Sequence, residues 1–435
     1  MHTIQQLRSG ELSNSTYIKI SENLTVFPEE LYRYTDTLEV LDLSGNALDS
    51  LPNDFIRFSN LRILFLSNNK FEILPSILGA LPNLDIIGFK ANQINDVPEL
   101  SLPASLRWLI LTDNKIKELP RSIGLCLKLQ KVMLAGNDLH ALPIEMALCR
   151  NIELLRISAN KIKELPLWLM SLPKLAWFAF AGNPCSFQSD ERKKKTNIIH
   201  WDSITIKEQL GEGASGVIYK AALKDSVLDV AVKIFKGAVT SDGLPIDEMR
   251  ACIQAGLHYN LVPVKAIITH HPDHKEGLVM DLIPSNYSNL GLPPNFVTCT
   301  RDTFLLHQVF SIDEIIYIAR GIAEVTIQLH DKGIMHGDLY AHNILVNAEY
   351  HALLGDFGAA TIFSIHDLNV ASCFEKIEVR AYGCLLEDLL DRVLTHQESE
   401  KEYLVSLKNE CVLENMELRP TFKSILERLS KVFNK

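Results

Sequence analysis

Three glycines stand in the order Gly211-x-Gly213-x-x-Gly216, inside the stretch from Leu210 to Val217. Glycine has no Cβ, so a backbone built this way can approach a phosphate chain without side-chain collision. Several nucleotide-binding folds use that spacing, so alone it points only to a phosphate-bearing ligand. Four later motifs narrow the chemistry. Val230-Ala231-Val232-Lys233 reads as a strand ending in a cation, 17 residues beyond Gly216. His336-Gly337-Asp338-Leu339-Tyr340-Ala341-His342-Asn343 comes next, and Asp356-Phe357-Gly358 begins 18 residues after Asp338. Leu418-Arg419-Pro420-Thr421-Phe422 sits near the end. An isolated Asp-Phe-Gly is ordinarily a turn and an isolated lysine is ordinarily solvated. So many motifs in fixed order are not a coincidence.

Their order and spacing resemble the protein kinase family over about residues 204–435. The resemblance implies ATP and Mg2+ as cofactors. It implies that Leu210, Gly211, Gly213, Gly216 and Val217 cover the nucleotide. Lys233 would hold the α- and β-phosphates, positioned by Glu248 on a helix; Asp247 is a rival, because the helix register is off by about one residue against the family spacing. Asp338 would accept the proton of the substrate hydroxyl, and Asn343 and Asp356 would hold Mg2+. Ala231, Val217 and Leu345 would sandwich the adenine, with Met280, Asp281 and Leu282 as the hinge and Met280 narrowing the pocket behind it.

The chain departs from the family pattern in four places. Gly337 stands where regulated kinases carry an arginine that binds an activation-loop phosphate, so control by loop phosphorylation is not expected. Tyr340 replaces the lysine that Ser/Thr kinases keep near the γ-phosphate. No Ala-Pro-Glu comes after Asp356-Phe357-Gly358; Cys373-Phe374-Glu375 is the nearest echo, and the central helix is expected to begin by about Glu378. Arg419, whose family partner is the missing glutamate, is then expected to pair with Glu375 or Glu378. Lastly, the Pro- and Asn-rich insert 284–310 has no helical pattern and could cover the substrate side.

Three functions fit these residues. The leading one is a Ser/Thr-directed protein kinase. A small-molecule phosphotransferase is the second, since His-Gly-Asp-x-x-x-x-Asn also resembles aminoglycoside and choline kinases. The intact glycine loop and the Arg-Pro ending count against it. A scaffold with a pseudokinase domain is the third, and the survival of Lys233, Asp338, Asn343 and Asp356 counts against that.

The catalytic motifs need elements to hold them. Ser311-Ile312-Asp313-Glu314 is a helix-capping box, and Ile315, Ile318, Ile322, Val325 and Leu329 recur at helical spacing behind it. The first half is organised differently. Asparagines fall at 46, 69, 92, 114, 137, 160 and 183, and the first six are each followed by a proline, at 52, 75, 98, 120, 143 and 166. Around them runs Leu38-x-x-Leu41-x-Leu43-x-x-Asn46-x-Leu48-x-x-Leu51-Pro52, with a weaker opening copy over Ile18 to Pro28. This resembles the leucine-rich repeat family. One repeat cannot bury its own leucines, so the copies must stack into a solenoid.

The expected architecture is thus α/β and multidomain: a leucine-rich-repeat solenoid over 1–185, a linker over 186–203 with a charge run at 190–195, and a bilobal α+β kinase-like domain over 204–435. Side chains between the inward leucines alternate to the concave face. They include Ile63, Phe65, Trp108, Ile110, Met133, Leu154 and Trp177. So apolar a row suggests docking of a protein partner, or packing against the chain's own kinase domain; both readings stay open.

With 47% hydrophobic and 22% charged residues the chain has ample core material and no sign of wholesale disorder. Residues 1–200 carry 22 basic and 21 acidic residues, and 201–435 carry 21 and 32. An acidic second half argues against nucleic acid as a partner. The start lacks a signal-like apolar core, and no apolar run reaches the roughly 20 residues of a spanning helix. Eight scattered cysteines without a Cys-x-x-Cys pair fit free thiols in a reducing compartment, hence a cytoplasmic location.

Overall fold

A computed structural model describes residues 1–186, 197–213, 215–224, 226–236, 239–393 and 398–433. Linker residues 187–196, with the charge run, lie outside the described residues. The chain is α/β and multidomain, with two compact units: Met1–Leu172 joined by Asn183–Cys185, and Pro173–Gly182 joined by Ser186–Lys435.

The first unit opens with α1 (Ile4–Ser9), capped by Thr3. Seven strands of three residues each come after it: β1 (Tyr17–Lys19), β2 (Val40–Asp42), β3 (Ile63–Phe65), β4 (Ile86–Gly88), β5 (Trp108–Ile110), β6 (Lys131–Met133) and β7 (Leu154–Arg156). Each pairs in parallel with the next at the same register, as in Leu41↔Leu64 and Leu64↔Ile87. Prolines with φ near −65° precede short 3-10 turns such as Asn53–Arg57 and Arg121–Leu125. The ring sets that φ in advance, so the turn starts without a search.

The asparagines close the repeats as their donor and acceptor chemistry allows. Asn114 Nδ2 donates to Phe89 O at 2.9 Å and Leu111 O at 3.0 Å, while its Oδ1 accepts from Ile94 N at 3.0 Å. Asn69, Asn92, Asn137 and Asn160 do the same one rung apart. Of the row between the leucines, Phe65, Trp108, Ile110 and Met133 are half-buried, whereas Ile63 and Leu154 are buried. Lys131 Nζ sits 4.1 Å over the Trp108 ring.

The repeat-like strand β8 (Trp177–Ala179) falls in the second unit. That unit then builds a six-stranded sheet in the order β10-β11-β12-β14-β13-β9, from β9 (Ile198–His200), β10 (Ile204–Glu212), β11 (Gly216–Leu223), β12 (Asp229–Phe235), β13 (Val264–Thr269) and β14 (Gly277–Asp281). Helix α2 (Pro245–Ala255) has proline in its first turn. Val230, Val232, Ala266, Ile268 and Val279 form the sheet's core.

The remainder is mainly helical: α3 (Ile312–Asp331), α4 (Leu368–Leu390), α5 (Glu398–Cys411) and α6 (Phe422–Phe433). Short strands β15 (Ser288–Asn289), β16 (Ile334–Met335), β17 (Ile344–Val346), β18 (Ala352–Leu354) and β19 (Thr361–Ile362) carry the loops between them. The capping box before α3 is present in both halves, and the five apolar positions behind it are buried. Helix α4 starts well ahead of Glu378. It begins at Leu368, ten residues before Glu378, because Asp367 accepts from Val370 N at 3.1 Å and caps it. Cys373, Phe374 and Glu375 are therefore helical. Among the described residues no helix is long and apolar enough to cross a membrane.

Asn114→Ala should destabilise the solenoid by ~1–3 kcal/mol, because the Ile94 N–H loses its partner in a buried site and Phe89 O and Leu111 O each lose one of their two asparagine donors. Urea unfolding of the full chain, followed beside wild type, reads this as a lower midpoint for the first unit.

Candidate active site

The sheet positions the first group of residues. Gly211 and Glu212 pair with Ile218 and Val217 across the β10–β11 hairpin, and Lys233 lies on β12 opposite Ile218 and Leu278. A Cβ added at Gly211 or Gly213 would meet nothing within 4 Å, whereas one at Gly216 would lie 2.6 Å from Ile234 O. Open space over the first two and tight packing under the third suit a backbone that admits phosphates. Ala231 pairs with Met280, and Val230 with Asp281, whose carboxylate meets Lys265 at 2.5 Å. Leu282 follows β14, and Leu345 lies on β17 opposite Leu353.

Lys233 Nζ forms an ion pair with Glu248 Oε1 from α2. Asp247 turns instead to Arg250, 3.4 Å away. Both members of the Lys233–Glu248 pair are buried. Burial would push the ammonium down, but the charges of Glu248 and Asp356 outweigh it and hold Lys233 above its ordinary value. A Cβ on Gly358 would stand 3.2 Å from Asp356 Oδ1 and 3.8 Å from Glu248 Oε2, so these carboxylates border one space.

The second group sits on the loop between β16 and β17. Asn343 Nδ2 donates to Asp338 O at 3.0 Å and Asp338 Oδ2 at 2.9 Å. His336 Nε2 meets Gly355 O at 2.9 Å, and its ring packs edge-on against Phe357, which ties this loop to Asp356-Phe357-Gly358. Asp356 itself holds φ +50° and accepts from Gly358 N at 3.1 Å.

Beneath the loop, Glu378 of α4 is 1% exposed. It accepts from His336 N at 3.3 Å and Gly337 N at 2.8 Å, and faces His330 Nε2 at 2.7 Å. Burial pushes this carboxyl up, yet the His330 bond and the charges and amides around it hold it below the ordinary 4.5. Glu378 is therefore committed to the loop and does not pair with Arg419. Nor does Glu375, which accepts from Phe422 N at 2.8 Å. Arg419 donates instead to backbone carbonyls, of Leu413 at 2.8 Å, Lys376 at 2.9 Å and Pro173 at 2.8 Å.

The insert after β14 is held in place by charge. Asp302 accepts from His342 N at 2.9 Å and meets His342 Nδ1 at 2.7 Å. Arg301 meets Glu387 and Asp388 at 2.6 Å each. Asp302, Arg301, Glu387 and Asp388 carry no motif in the sequence. Trp177 fits the packing reading of the apolar row and not the docking one. It is 2% exposed, and its indole stacks on Tyr340, so it is no part of an exposed docking row.

Among the described residues no group of three or more His, Cys, Asp or Glu is placed to hold a metal. Mg2+ ordinarily takes one or two protein oxygens and completes its shell with phosphate and water, so Asp356 with Asn343 fits it as a nucleotide-bound ion.

Glu378→Gln should destabilise the second unit by ~1–3 kcal/mol at pH 7, since the amide cannot reproduce the charged bonds. The folded-state carboxyl is held below 4.5, so its contribution is present above that value and is lost as pH falls through the lowered one. The gap between wild-type and variant thermal midpoints should accordingly close on acidification.

Residues 204–397 match the family described as protein tyrosine and serine/threonine kinase, and residues 12–71 match leucine-rich repeats. A probable cyclin-dependent serine/threonine-protein kinase of Dictyostelium discoideum is 24% identical over 242 residues, 52% of this chain and 36% of that protein. A leucine-rich repeat receptor-like protein kinase of Arabidopsis thaliana is 24% identical over 205 residues, covering 42% and 28%. Cyclin-dependent kinase 12 of Caenorhabditis elegans is 28% identical over 221 residues, covering 46% and 29%. The chain thus spans about a third of the length of these relatives. It joins leucine-rich repeats to a domain of the protein kinase family.

Proposed function

We propose that the protein is an ATP- and Mg2+-dependent protein kinase directed at serine and threonine hydroxyls. The observation that carries this reading is the Lys233–Glu248 pair bordering the same space as Asp356, with Asn343 bonded to Asp338 beside it. Lys233 binds the α- and β-phosphates, and Glu248 keeps its ammonium aimed. Asp356 and Asn343 hold Mg2+, which when bound neutralises charge developing on the transferred phosphoryl group. Asp338 orients the acceptor hydroxyl and takes its proton. Leu210, Val217, Ala231 and Leu345 enclose the adenine, and Met280 to Leu282 meet its edge. The serine/threonine direction draws on the relatives whose names carry it.

The half-buried row Phe65, Trp108, Ile110 and Met133 docks a protein substrate or partner. Docking raises the effective concentration of an acceptor and relaxes the need for a peptide shelf near Asp338. Eight free cysteines support a cytoplasmic setting.

Phosphate transfer from radiolabelled ATP and Mg2+ tests the reading, with wild type beside Asp338→Asn. Acceptors are the protein itself, a basic protein, and small alcohols and aminoglycosides. Label on serine or threonine, with kcat reduced about 10²–10⁴-fold in the variant, is expected. Label only on a small molecule, or none at all while ATP still binds, would refute it.

A further inference from the structure

The ten residues Pro173–Gly182 continue the repeat series in sequence, yet they fold into the second unit. Their contacts there fall on the loop that carries Asp338, on the strand after Asp356-Phe357-Gly358, and on α4 and Arg419. The Trp177 indole lies flat on the Tyr340 ring, with centroids 4.3 Å apart and planes 6° from parallel. Its N–H donates to Leu339 O at 3.1 Å. Both partners directly follow Asp338. Phe180 N donates to Thr361 Oγ1 at 3.2 Å, on the strand that leads out of Asp356-Phe357-Gly358. The Phe178 and Phe180 rings stand 6.5 and 5.1 Å from Phe374 of α4. Arg419 and Arg380 donate to the carbonyls of Pro173 and Lys174, at 2.8 and 3.0 Å.

Gly337 shows how close this approach is. It holds φ +72°, and a Cβ there would lie 2.5 Å from Phe178 O and 2.8 Å from Ala359 O. The backbone of Phe178 fills the space that a side chain at 337 would need. The arginine that regulated kinases use to sense a loop phosphate therefore has no room. The guanidinium that would meet an Ala-Pro-Glu glutamate, that of Arg419, is bonded to Pro173 in its place.

We propose that Pro173–Gly182 substitutes for the missing activation-segment contacts and holds the catalytic loop in working geometry without phosphorylation, with Trp177 as its main positioning residue. This rests on the kinase reading above. Trp177 does no chemistry. Its stack and its hydrogen bond fix the Leu339–Tyr340 backbone, and through it the direction of the Asp338 carboxylate. A displacement of about 1 Å at such a group can cost 10²-fold in rate.

The test uses the full chain as wild type, Trp177→Ala and Trp177→Phe. Thermal unfolding first verifies that each is folded at the assay temperature. Trp177→Ala should lower kcat about 10- to 100-fold, with KM for ATP changed less than about twofold. Trp177→Phe keeps a stacking ring but loses the N–H, and should recover much of that rate. Hydrogen exchange at the amides of 336–343 should quicken in Trp177→Ala and return towards wild type in Trp177→Phe. Unchanged kcat with a lowered thermal midpoint would make the segment mere packing and overturn the proposal. A rise in kcat would make it an inhibitory plug and overturn it equally. Absence of transfer in wild type would count against the kinase reading alone. The exchange arm then decides the present proposal: wild-type protection retained in Trp177→Ala would overturn it.

Discussion

A carboxylate sealed from water is tolerable only when donors surround it, and Glu378 is the point where the second unit meets that condition. Two loop amides and the ring of His330 converge on it, from the end of β16 and from α3 respectively. The loop is thereby pinned to the helical core from below. From its far side His336 reaches Gly355, so Asp338 and Asp356 inherit one common frame. The sheet needs a separate tie, and the buried Lys233–Glu248 pair supplies it by joining β12 to α2. The ties at Glu378 and Lys233 are charge-assisted and shielded, which makes them strong and intolerant of losing one partner.

The repeats follow a different physics, in which no single buried charge organises the rest. Each asparagine gives N–H bonds to carbonyls and receives one from the preceding repeat, so the constraint is distributed evenly along the strand series. The period is visible in sequence for the same reason: every copy must solve one geometric problem, and only a few residue types solve it.

That contrast explains what is legible in the sequence. The leucine, asparagine and proline positions read out directly, as do the glycine hairpin, Lys233 and the loop from His336 to Asn343. The capping box before α3 is local and equally plain. The pairing of Asp302 with His342 spans forty residues and lies in an insert without periodicity, so no pattern announces it. The start of α4 depends on one Asp367 cap, which is too short a signal to outweigh family spacing. Arg419 should find a carboxylate by the family pattern, and it finds three carbonyls. A buried guanidinium needs acceptors, and main-chain carbonyls supply them without a counter-charge, so burial pushes Arg419 down to about 10. Trp177 shows the limit of periodicity. Its place in the repeat predicts which way the side chain leaves the strand and says nothing of what it meets.

The register of the repeats and the boundary of the folding unit are out of step by ten residues. In such a chain the customary notion of an interchangeable module fails. Cutting after Cys185, where the last asparagine repeat ends, would remove from the kinase half its own stacking partner for Tyr340 and an acceptor for Arg419. Cutting before Pro173 would leave the repeat series without its last copy. Exchange of the catalytic half between relatives would therefore have to carry this segment with it.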